Sequence, residues 1–86
     1  MTEHANEKLR VAMLEVVDRQ LEDGEPEETG ATYKRLLESG HSDIEARRLI
    51  AIVVGDETLR VIKEDSPYQA ERFARLLRKL PALPWD

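Results

Sequence analysis

Metal or acid–base chemistry in this chain would have to begin at its two histidines, His4 and His41. His41 opens the stretch His41-Ser42-Asp43-Ile44-Glu45-Ala46-Arg47-Arg48, which brings an imidazole, two carboxylates and an arginine pair close together. Imidazole nitrogen and carboxylate oxygen are both zinc ligands. On a helix, however, side chains share a face only at three- or four-residue spacing. Here a helix starts inside the cluster. Ser42-Asp43-Ile44-Glu45 has the form of a capping box: the Ser42 hydroxyl accepts the Glu45 N–H, and the Glu45 carboxylate reaches back to the Ser42 N–H. Asp43 adds negative charge at the positive end of the helix dipole. Both acids are explained by starting a helix, and His41 sits just outside it, at the staple position. No metal ligand is assigned here, nor at His4 in the terminal segment.

Nucleophilic catalysis needs a serine or threonine with a base and an orienting acid. Ser39, Ser42 and Ser66 read as loop and cap residues. GxSxG, HExxH and phosphate-cradling glycine loops are all missing. The carboxylates are too many and too evenly spread to single out a catalytic pair. The expectation is therefore no catalytic, cofactor-binding or metal residue, and an enzyme is the less favoured reading. The basic run Arg72–Lys79 (RFARLLRK) could contact phosphate, but a short basic helix in an acidic chain is better read as a solvated or salt-bridged face. The net charge of −5 argues against a dedicated nucleic-acid binder.

The elements that would position these residues are helices. The first is expected from about Glu3 to Glu22, with Leu9, Met13, Val16, Val17 and Leu21 at helical spacing and Gly24 as its C-terminal cap. Pro26 suits the first turn of a second helix, with Glu27 and Glu28 beside it. Tyr33, Leu36 and Leu37 form its apolar stripe; Gly30 weakens it and Gly40 ends it. The third helix runs from the capping box to about Lys63. Ala46, Leu49, Ile50, Val53, Val54, Leu59, Val61 and Ile62 make it the most apolar segment and the central one. Its β-branched run IAIVV alone suggests a strand, but the cap before it and the spacing after it favour a helix. Gly55 is read as a point of close approach by a neighbouring helix, and Asp56-Glu57 as an interruption of the stripe. Ser66, Pro67 and Gln69 resemble a second capping box opening a fourth helix, in which Ala70, Phe73, Leu76, Leu77 and Leu80 face the core. Arg72, Arg75, Arg78 and Lys79 then face water or a partner, and Pro81 ends the helix. Leu49, Val53 and Phe73 are expected to be largely buried.

The expected fold is all-α: one domain, residues 1–86, a compact bundle of about four helices with the third central. Residues 1–5 and 81–86 are expected as flexible or extended ends, with Trp85 against the surface. The chain has no cysteine, so neither disulfides nor thiolate sites arise. Its apolar runs fall short of the ~18 residues that span a membrane. The acidic, polar start MTEHANEKLR does not read as a signal peptide. Together these give the expectation of a cytoplasmic protein without membrane or nucleic-acid partners. Charge is asymmetric: residues 1–30 are strongly acidic and residues 69–86 basic. An acidic first helix beside a basic fourth, in one chain or across two, would account for that.

The stretches NEKLRVAMLEVVDRQLEDGEPEE, TYKRLLESGHSDIEARRLIAIVV and IKEDSPYQAERFARLLRKLP resemble a bacterial family of small all-helical proteins known as a domain of unknown function. The likeness spans residues 6–81. The resemblance implies histidines in i, i+4 pairs on the first and third helices, which would suit a metal between two helices. Those positions hold Arg10, Leu14, Ile44 and Arg48, so no site residue carries over. The leading expectation is a non-enzymatic interaction or self-association module, a homodimer, without cofactor. A domain this small has limited means to cover the apolar arc of helix three, including Leu49, Ile50, Ile52, Val53 and Val54. A metal-binding or hydrolytic protein is the alternative.

Overall fold

The computed structural model describes residues 2–86, with side chains from Glu7 onward; the His4 side chain lies outside that range. Four helices, and no strand, make up the described residues: α1 (Thr2–Asp23), α2 (Glu27–Glu38), α3 (Asp43–Glu64) and α4 (Ala70–Lys79). α3 is central and packs on each of the other three. Its helicity follows from the cap. The Ser42 hydroxyl accepts the Glu45 N–H at 3.2 Å, and the Glu45 carboxylate accepts the Ser42 N–H at 2.9 Å. IAIVV therefore continues a helix that is already nucleated, which its β-branched residues only mildly oppose.

The core is built where α3 meets its neighbours. Ala46, Ile50, Val53 and Val54 of α3 pack with Val17 of α1, Leu36 of α2, and Phe73, Leu77 and Leu80 of the C-terminal segment. Burying a leucine, isoleucine or phenylalanine contributes about 1.5–3 kcal/mol each. Val53 and Phe73 are buried as expected, whereas Leu49 is half-buried and Ile50 holds the innermost position. The turn between α2 and α3 closes in the way helices commonly end. Gly40 adopts φ 103°, a left-handed conformation open to glycine, and the His41 N–H donates to Leu36 O at 3.0 Å.

Several expectations are corrected. α1 begins at Thr2, so residues 2–5 are helical. Pro26 precedes α2, its carbonyl accepting the Thr29 N–H at 3.1 Å. α4 begins at Ala70 and not at Pro67, because the polar groups of residues 66–69 are taken by α3. Ala70 is exposed, as are Leu9, Leu37, Leu59 and Ile62, which periodicity placed in the core. With α3 between them, α1 and α4 of one chain do not pair as helices; each instead pairs with opposite charges on α3. Asp18 of α1 pairs with Arg47, and Arg72 of α4 reaches Asp56 and Glu57. At Gly55 a Cβ would meet Met13 Cγ at 3.7 Å, ordinary contact, so glycine is not required for α1 to approach. Residues 81–86 fold back in turns instead of extending, with Ala82 N–H donating to Lys79 O at 2.8 Å and Asp86 N–H to Leu83 O at 3.0 Å. Leu83 packs against the core.

Candidate functional site

Around His41 the acids are already engaged. The Asp43 carboxylate accepts the Tyr33 hydroxyl and, at 2.8 Å, the Arg47 guanidinium. Those bonds, the tyrosine's first, hold its pKa below the ordinary carboxylate value. Glu45 is likewise held down by the Ser42 N–H. Arg47 lies over the Tyr33 ring, 5.3 Å from its centroid, and bridges to Asp18, so one arginine fastens α1, α2 and α3 together. Among the described residues no group of three or more His, Asp or Glu side chains is disposed to hold a metal.

A second polar cluster lies deeper. Glu57 is only 4% exposed, and both its oxygens are occupied. Oε1 accepts Arg60 Nε at 3.2 Å and Arg72 Nε at 3.3 Å; Oε2 accepts Arg60 Nη2 at 2.5 Å and the Gln69 N–H at 3.2 Å. The Arg60 bond is the main cause that lowers its pKa, against the upward push of burial. Arg60 also donates to Ser66 Oγ at 2.8 Å and Pro67 O at 3.0 Å. A carboxylate saturated in this way is a structural anchor for the α3–α4 loop and not a general base. It borders a hollow of about 480 Å³ beside Gln20, Tyr68 and Phe73. Its neighbour Asp56 has a buried Oδ2 without a hydrogen bond, facing Arg72 Nη2 at 3.5 Å, which is ion-pair contact alone.

An apolar trough of about 520 Å³ lies along the seam of α1 and α3. Met13, Leu14, Ala51 and Ile52 form its floor. Leu9, Leu59 and Trp85 form its rim, and the last two are 50% and 68% exposed. The trough exists because α2 and α4 cover other faces of α3. Arg10 of α1 and Arg48 of α3, both exposed, stand one on each wall. Of the positions where the family resemblance implies histidines, Arg10, Leu14 and Arg48 line this trough, while exposed Ile44 is not part of its lining. Sequence reasoning marked Leu9 and Leu59 as apolar but not as surface. It did not mark the buried Glu57 cluster, whose one local signal was the i, i+3 spacing of Glu57 and Arg60. No described helix is long and apolar enough to cross a membrane. No family model, curated protein or solved structure matches this chain.

Proposed function

We propose that the chain is a non-enzymatic protein-interaction module whose working surface is the α1–α3 trough. The observation that carries this reading is an apolar floor rimmed by half-open Leu59 and exposed Trp85, in a chain whose acids around His41 and Glu57 are engaged in capping and ion pairs. Contiguous exposed apolar surface marks interaction sites. The reading includes a cytoplasmic location, in keeping with a cysteine-free composition. Affinity capture tests it, comparing the wild-type chain with a Leu59→Glu/Trp85→Ala variant that leaves the core intact. A protein retained by the first, lost by the second and rebound in purified form supports the reading. Absence of any such protein, together with a monomeric mass, overturns it.

Self-association is the second reading, favoured by Ile62. It is 69% exposed on α3, one turn beyond Leu59, and extends the apolar rim past the trough. A homodimer would cover it. Light scattering at micromolar concentration decides: a mass near the single-chain 9.9 kDa rejects the homodimer.

A further inference from the structure

We infer that the α1–α3 trough receives an amphipathic helix of a partner protein that carries carboxylates along the edges of its apolar face. The inference rests on the interaction reading above and names the chemistry of the occupant.

Shape supplies the first argument. Small-molecule pockets enclose most of their ligand. Here Leu59 and Trp85 stay half or more open to water on the rim, so an occupant seated along the seam of the two helices would keep one side in solvent. An amphipathic helix covers such a surface with anchors at i, i+3, i+4 and i+7.

Charge supplies the second. The molecule carries a net −5, yet the walls of its apolar trough present Arg10 and Arg48 from two different helices. Neither makes an ion pair with a described side chain. The one acid in the lining, Asp56, already faces Arg72. Carboxylates on the flanks of an incoming helix would meet guanidinium groups on both sides, and such charge-assisted pairs fix orientation as well as affinity. A second copy fits less well. A two-fold axis through the trough would set one arginine-bearing lining, without a free acid, against another, and two chains of like net charge repel.

The test uses the full chain and its single tryptophan as reporter, since Trp85 sits on the rim. Three tryptophan-free, end-blocked helical peptides of about 18 residues, five turns, share leucine anchors and differ only in their flanking residues: glutamate, glutamine or lysine. The expected result is a Trp85 emission shift with the glutamate peptide, which binds at least about tenfold more tightly than the glutamine peptide, while the lysine peptide binds weakest. Added salt should erode that order. An Arg10→Glu/Arg48→Glu variant, with helicity confirmed by circular dichroism, should reverse it. Equal affinity for all three peptides would overturn the charge inference and leave the interaction reading standing. Binding of none, with a dimeric mass, would give the trough to a second copy. Binding of none by a monomer would overturn the interaction reading itself.

Discussion

Replacing Glu57 by glutamine changes one atom and removes one charge from the interior. The carboxylate it replaces accepts four hydrogen bonds, from Arg60 twice, from Arg72 and from the Gln69 N–H. Glutamine keeps one carbonyl acceptor and sets an NH2 against arginine donors. The Arg60 side chain, 9% exposed, is then a nearly buried cation without its main counter-charge. Breaking a buried pair from one side costs about 3–5 kcal/mol. Arg72 keeps about a third of its side chain in water and can turn outward, so the cost falls to the lower limit of that scale or just beneath it, about 2–3 kcal/mol. For a domain of this length that corresponds to a Tm lower by about 10–20 °C. The sign of the pH dependence follows from the depressed pKa of Glu57. Its ionisation contributes full stability above the ordinary glutamate value near ~4.3, and that contribution is lost as pH falls through the lower folded value. Urea titrations followed at 222 nm should show the gap between wild type and Glu57→Gln at pH 7, narrowing progressively below about pH 4. A gap under about 0.5 kcal/mol at neutral pH, or one that stays constant into acid, would refute the account of Glu57 as the anchor of the loop.

Further tests address the cap, the core and the seam. Ser42→Ala should destabilise the fold by about 1 kcal/mol in the same titration, with His41→Ala smaller; the reverse order would contradict a purely structural role for that turn. Ile50→Ala should cost about 2–5 kcal/mol, and more than Leu49→Ala, because Ile50 is fully enclosed and Leu49 is not. Gly55→Ala should be neutral or stabilise by up to about 1 kcal/mol, since its Cβ has room beside Met13; a clear loss of Tm would show that α1 approaches more closely than described.

What could be read from the sequence was what local chemistry decides. The capping box of α3 closes within four residues, so its letters suffice, and it carried IAIVV into the helical reading as well. Ser66-Pro67-Tyr68-Gln69 has similar letters and a different outcome. Its serine oxygen accepts from Arg60 and its Gln69 N–H serves Glu57, partners that both lie on α3. Tertiary contacts overruled a local signal there. The trough escaped for another reason. Helical periodicity says that Leu9, Leu59 and Ile62 share an apolar character, but not how many neighbours exist to cover them. In the sequence Arg10 stands out only as a position without histidine, and Arg48 as that and as half of the arginine pair after His41. Their relation appears once antiparallel α1 and α3 bring residue 10 and residue 48 to the walls of one surface.

Arg35 carries a consequence for how the chain is made. Its guanidinium, on α2, donates to Leu80 O at 2.9 Å and to Leu77 O at 3.0 Å, with Arg78 O at 3.4 Å, so the last carbonyls of α4 are closed by a residue 42–45 positions upstream. α4 has ten residues, too few to persist as a helix in water by itself. During synthesis α2 is made before α4, and α4 becomes lasting only when it docks on the Arg35 side chain. A chain stalled before residue 77 would lack both the carbonyls and the helix, leaving Leu36 and Ile50 uncovered, the kind of surface that quality-control proteases and chaperones recognise.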